Sequence, residues 1–250
     1  MSALLPHLSI LSIVLVVAVT AVSAVLGGIS GYGTGPLMPL VLVPMVGAEP
    51  VVPIIAISSM FTNSARLSAF RQMLNLRLGL IALVTSLPTC VLGAWLYTML
   101  SGRGAAILIG STLIATVPLR RVLKSRGHRL GEKGFAAAAA GWGLLVGGTS
   151  GSGVVLLSIL LAAGLEGTAV IATDAAISIV TGVIKIAVFA FAGVLTPTVI
   201  TIALLMGAIG FPCTFIAKLI VQRLPVHVHT AILDGIVIVG GAVMIYGALH

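Results

Sequence analysis

Charge is scarce in this chain. Only 7% of its 250 residues are Asp, Glu, Lys or Arg, whereas a water-soluble surface carries about 25–35%. A soluble globular domain is thereby excluded, and most of the surface must face lipid. Aromatic residues, at 5%, are too few for the stacking platforms that grip nucleic acid. The formal charge of +8 therefore needs another explanation. The excess of basic residues at the cytoplasmic ends of membrane helices supplies it. Cysteine is limited to Cys90 and Cys213, each inside an apolar run and neither in metal-ligand spacing, so both read as buried bystanders. No Lys or Arg precedes the first apolar run, so a signal-peptide n-region is lacking and that run is expected to stay as a membrane segment. Nothing forms a catalytic set. His7, His128, His227, His229 and His250 fall at segment ends or in loops, and the spacing of His227 and His229 is not that of a helix-face metal pair. No enzyme activity, no cofactor and no metal site is expected.

Apolar sequence is what the chain has in abundance: 59% hydrophobic residues and a mean hydropathy of +1.27. A helix crosses a bilayer with about 20 apolar residues. Candidate segments are 9–26, 51–70, 78–100, 105–119, 135–146, 168–191, 197–221 and 228–249, with shorter apolar pieces at 37–46 and 154–163. Ser101-Gly102-Arg103-Gly104 reads as a tight turn. The one strongly charged stretch holds Arg120, Arg121, Lys124, Arg126, His128, Arg129, Glu132 and Lys133, and reads as a cytoplasmic loop.

A glycine-rich phrase occurs twice, as Gly27-Gly28-Ile29-Ser30-Gly31-Tyr32-Gly33 and Gly147-Gly148-Thr149-Ser150-Gly151-Ser152-Gly153. Glycine is costly inside a helix, and lipid tolerates irregular backbone only where protein or a water-filled cavity covers it. Matching breaks in two halves point to a transporter's binding site. The likeness extends further. Ser59, Thr62 and Arg66 fall opposite Ser178, Thr181 and Lys185; Leu87-Pro88 falls opposite Phe211-Pro212; 106–110 falls opposite 231–235. The expected organisation is a first repeat at 1–119, a basic cytoplasmic linker at 120–134 and a second repeat at 135–250, all within one integral-membrane domain. Each phrase could continue its helix across the membrane or turn the chain back. The first option makes the halves parallel and puts Lys218 and Arg223 outside with Arg103. The second inverts them and gathers Lys218, Arg223, Arg71 and Arg77 with the basic loop. The positive-inside bias favours the second. The fold expected is therefore an all-α polytopic membrane protein. It has two homologous halves as inverted repeats, each with a glycine-rich broken or re-entrant hairpin, and about eight membrane segments plus short half-helices.

Charge within a spanning segment is expensive and usually functional. On a helix, Asp174, Ser178, Thr181 and Lys185 share one face, as do Ser59, Asn63 and Arg66, with Thr62 beside them. Polar residues of this kind also glue helices together, and Arg66, nearer a helix end, could snorkel. Asp174 and Lys185 are too far apart along a helix for direct pairing. A carboxylate in a low-dielectric site tends to bind a proton, which makes Asp174 and Asp234 proton-coupling candidates, although Ile55 occupies the position matching Asp174. Glu49 and Glu166 belong to turns. The phrases suggest an anion: helix starts carry unpaired N–H groups and positive potential. Ser30, Gly31 and Gly33 would then act with Ser150, Gly151 and Gly153 in binding it. Close helix packing is the alternative use of these glycines.

These residues resemble the TauE/SafE family of membrane permeases. Gly27 to Pro36 together with Pro39 is similar to that family's first glycine-rich motif. Gly147 to Gly153 with Ala172-Thr173-Asp174 is similar to its second. Thr34 and Val154 stand where the family often has glycine, and the second copy lacks the following proline. The resemblance covers nearly the whole chain. It implies a multi-pass carrier of the bacterial inner membrane, often an exporter, for sulfur-containing anions such as sulfite or organic sulfonates like sulfoacetate. The expected partners are a small anionic substrate and the lipid bilayer, with no nucleic acid; self-association is left open. An anion channel and a non-transporting membrane scaffold or assembly factor are the alternatives.

Overall fold

A single segment in lipid can satisfy its backbone N–H and C=O groups internally only as a helix. The computed structural model describes residues 10–30, 34–125, 130–220 and 226–249, and these are helical almost throughout. The first five helices are α1 (Ile10–Ser30), α2 (Thr34–Val46), α3 (Val51–Phe70), α4 (Leu76–Thr98) and α5 (Gly102–Ser125). The next five are α6 (Glu132–Gly148), α7 (Gly153–Ala162), α8 (Thr168–Phe191), α9 (Pro197–Ile220) and α10 (Val226–Leu249). A 3-10 turn, Arg71–Met73, links α3 to α4. Among the described residues, four helical stretches are long and apolar enough to cross a membrane: α4, Gly102–Leu119, α8 and Pro197–Ile216. The chain is thus a multi-helix membrane protein. Large apolar side chains such as Leu80, Val84 and Phe191 point outward, while Ser58, Thr62, Asn63, Thr149 and Ser150 are buried.

The two short helices fold back on their predecessors. Leu130, just before α6, donates its amide to the Ala162 carbonyl at the end of α7 at 2.8 Å. Near the other end of this pair, Trp142 Nε1 donates to the Ser152 carbonyl at 2.9 Å. Helices α6 and α7 therefore lie side by side and antiparallel. In the first half Thr20 Oγ1 reaches Met38 Sδ at 3.7 Å, which places α2 alongside α1. At 1.5 Å per residue α7 is about 15 Å long, half of a ~30 Å hydrocarbon core.

The long helices pair across the chain. Helix α4 lies on α6 as α9 lies on α1; α3 lies on α9 as α8 lies on α4; α5 lies on α7 as α10 lies on α2. Two further pairs cross head to tail. In α3 and α8, Met60 meets Gly182 and Arg66 meets Asp174. In α5 and α10, Arg103 donates to the Leu249 carbonyl at 3.3 Å and Gly110 meets Gly241. The α4–α6 contact is the tightest. A Cβ on Gly147 would strike the Cys90 carbonyl and lie 2.8 Å from the Ala94 amide nitrogen; one on Gly143 would lie 2.8 Å from Ser86 Cα. Only small residues allow helix backbones to approach so closely.

These pairings set apart two ends of the bundle. At one end the Tyr97 hydroxyl donates to the carbonyls of Ala48 and Glu49, at 2.8 and 3.2 Å, beside Arg103 and Leu249. At the other, Arg77 pairs with Glu132 at 2.9 Å, and the Asn75 amide donates to Thr173 Oγ1 at 3.1 Å.

Several helices outrun their expected limits. Helix α1 continues to Ser30, through the first glycines. The α4–α5 turn is centred on Met99–Ser101 rather than 101–104, because Ser101 Oγ accepts from the Gly104 amide at 3.3 Å and starts α5 early. Helix α5 then runs through Arg120, Arg121 and Lys124 to Ser125, and α6 begins at Glu132. The basic segment 120–134 is therefore helical at both ends, since unbranched basic side chains suit a helix. Gly31, Gly33, Arg223, His7, His128 and His250 lie outside the described residues, as do the side chains of Ser30, Lys218, His227, His229 and Asp234.

Candidate functional site

The two polar stripes meet because α3 and α8 cross head to tail with their polar faces toward each other. Between them and the tips of the two hairpins lies a cavity of about 110 Å³, room for several water molecules. Helix α3 contributes Ser59, Asn63 and Arg66 to its wall. Helix α8 contributes Asp174, Ser178, Thr181 and Lys185. Ser150, Gly151 and Gly153 line it from the second phrase. Ser59, Asn63, Arg66, Ser150, Gly151, Gly153, Asp174, Ser178, Thr181 and Lys185 thus border one space. Sequence reasoning passed over Thr149, Ser152, Trp142, Gly35 and Thr214, which also line it. Trp142 carried a readable signal: a buried indole N–H needs an acceptor.

The hairpin tips touch backbone to backbone. A Cβ on Gly35 would stand 2.9 Å from both Cα and N of Gly151. Gly151 itself has φ +88°, a left-handed conformation that L side chains rarely adopt, and a Cβ there would lie 3.0 Å from Leu113. This turn lets α7 begin at the cavity, where its first N–H groups have no intrahelical acceptor. The positive end of the helix dipole points the same way.

The charged groups differ sharply in their surroundings. Arg66 does not snorkel: its side chain is 11% exposed and turns inward, donating to Asp174 Oδ2 at 3.1 Å and to Asn63 Oδ1. Asp174 thus pairs across the chain with Arg66, a partner that spacing along α8 could not reveal. Its Oδ1 is buried with no hydrogen-bond partner among the described residues. Lys185 is 6% exposed and donates to the Thr149 carbonyl at 3.2 Å. Among the described residues it makes no ion pair.

The hydroxyls sort into two groups. Ser59 donates to the Ala56 carbonyl at 2.9 Å and Thr181 to the Ile177 carbonyl at 3.0 Å, so their protons serve their own helices. Ser150 is 96% buried, and its Oγ has no partner among the described residues. An unpaired hydroxyl at a helix start, beside the carbonyl that Lys185 binds, is a donor awaiting an acceptor. Among the described residues the cavity therefore holds two cations against one carboxylate, with the Ser150 hydroxyl next to the Thr149 carbonyl that Lys185 binds. That arrangement suits a small anion.

Residues 15–244 match a family model described as Sulfite exporter TauE/SafE. No curated protein and no solved structure matches the chain.

Proposed function

Because the chain belongs to the TauE/SafE family, we propose that it is a secondary transporter exporting small sulfur-containing anions, such as sulfite or an organic sulfonate like sulfoacetate. The family is one of membrane transporters rather than enzymes, and the protein is a multi-pass protein of the bacterial inner membrane. The observation that carries the reading is Lys185: a buried cation without an ion-pair partner among the described residues, bound to the carbonyl of Thr149, next to Ser150, whose buried hydroxyl also has no partner among them. A buried charge is retained against its desolvation cost when a ligand supplies the counter-charge.

We read α1–α2 and α6–α7 as re-entrant hairpins, and 1–119 and 135–250 as inverted repeats joined by the basic segment on the cytoplasmic side. The head-to-tail crossings of α3 with α8 and α5 with α10 support this. A two-fold axis lying in the membrane plane runs related helices in opposite directions. Alternating access then moves two mixed bodies. Helices α4 and α5 travel with α6, α7 and α8, because the glycine contacts of α4 and α6 are too close to slide. Helices α9 and α10 travel with α1, α2 and α3. The gate lies along α3/α8. Proton coupling falls to Asp174, whose Oδ1, without a partner among the described residues, can take a proton, with Asp234 as a second acid.

Counterflow in proteoliposomes tests the proposal. A carrier preloaded with unlabelled sulfite or sulfoacetate accumulates the labelled anion, whereas a channel passes current instead. Neither counterflow nor current from wild type would leave only the scaffold reading, and unchanged flux in Lys185→Gln and Gly151→Ala, both inserted normally, would remove these residues from the transport site.

A further inference from the structure

We infer that the cavity contains two separate oxyanion subsites, one at Lys185 and one at Arg66, and that Asp174 occupies the second as a tethered anion. The inference deepens the anion-carrier reading and rests on it.

Arg66 and Lys185 hold matching places in the two polar stripes, after Ser59–Thr62 and Ser178–Thr181. Both line the cavity. Arg66 is bound by Asp174, whose Cα precedes that of Lys185 by eleven residues, about 16 Å of helix rise at 1.5 Å per residue. Lys185 is held instead by the Thr149 carbonyl of the second phrase. Each cation thus has its own protein partners, and each is assigned its own subsite. The position that matches Asp174 in the other stripe is Ile55, which also lines the cavity. Lys185 consequently lacks the carboxylate that Arg66 has.

Asp174 is an incomplete partner. Its Oδ2 accepts from Arg66 while its Oδ1, fully buried, accepts from nothing among the described residues. Buried carboxylates that serve as structural cement are as a rule bonded through both oxygens. One held on a single side can give way to a free oxyanion that bonds Arg66 in its place. The protein then has one open subsite and one shut by its own side chain. An anion crossing the cavity would displace Asp174 from Arg66 as it passes from one cation to the other.

Calorimetric titration of the purified protein in nanodiscs tests this, with sulfite and ethanesulfonate as probes. Wild type is expected to bind one anion per chain, and Asp174→Asn two. Adding Arg66→Gln to Asp174→Asn should restore one, at the wild-type affinity. The converse variant Ile55→Asp supplies Lys185 with a tether and should lower affinity at the open subsite at least tenfold. It carries the test should Asp174→Asn not insert. Unchanged stoichiometry in a monodisperse Asp174→Asn overturns the second subsite, and unchanged affinity in Ile55→Asp overturns the closing of a subsite by a tethered carboxylate; either leaves the carrier reading intact. Failure of wild type and all variants to bind either probe instead sinks the carrier reading for sulfur oxyanions.

Discussion

Replacing Lys185 by Gln should move stability and affinity in opposite directions. The ammonium is held at 6% exposure by one 3.2 Å bond to the Thr149 carbonyl, with no carboxylate paired to it among the described residues. In the empty protein its burial is a cost, several kcal/mol for an uncompensated ion. Glutamine keeps a donor for Thr149 and removes that cost, so the ligand-free variant should melt higher than wild type. For the bound anion the balance reverses. At the 3.2 Å now taken by the carbonyl oxygen, a unit charge pair in an effective dielectric of 20 gains about 5 kcal/mol. Desolvation offsets part of this, and truncating one partner of a buried charge pair typically costs about 2–5 kcal/mol. Affinity for sulfite or a C2 sulfonate should therefore fall by about 30-fold to several thousand-fold. Thermal denaturation with and without the anion, alongside titration, reads both effects. A lysine that merely cements the fold would give a lower melting point with affinity within about threefold of wild type, and that pair of results would refute the reasoning.

Gly147→Ala should damage the fold more than most single methyl additions, because the new Cβ meets backbone of α4 rather than a movable side chain. Overpacking of this kind costs about 1–3 kcal/mol or more, so a melting point and monodisperse yield equal to wild type would contradict the α4–α6 contact. Arg77→Gln should do little, since the Arg77 and Glu132 side chains are 78% and 60% exposed. A double-mutant cycle with Glu132→Gln should give a coupling below ~1 kcal/mol; a coupling of several would make this pair a latch.

The helical plan and the two polar stripes could be read from periodicity, because residues i, i+4, i+7 and i+11 must share a helix face whatever surrounds them. The pairing of Arg66 with Asp174 could not. It depends on the head-to-tail register of α3 and α8, a long-range fact that local spacing does not contain. For the same reason Arg66 looked able to snorkel until its partner on α8 was seen. Thr149 and Ser152 escaped notice although they lie inside the repeated phrase, since their matches in the first copy are Ile29 and Tyr32. They serve through backbone carbonyls, which no side-chain pattern marks. The helix ends at Ser30 and Ser125 were missed because glycine and arginine were read as stops, while packing and propensity carried the helices onward.

The interlaced packing of the long helices also sets a timetable for synthesis. Gly93 on α4 waits for Gly148 on α6, about 55 residues later, which is ~3–11 s of elongation at ~5–20 residues per second. Helix α1 waits far longer: Ala24 meets Gly210 of α9 only after about 186 further residues, roughly 10–40 s. Throughout that interval Thr20 and Ser23, both buried in the finished bundle, stand without the α9 surface that finally covers them. The nascent first half is therefore an unfinished surface in the bilayer until α9 has been made.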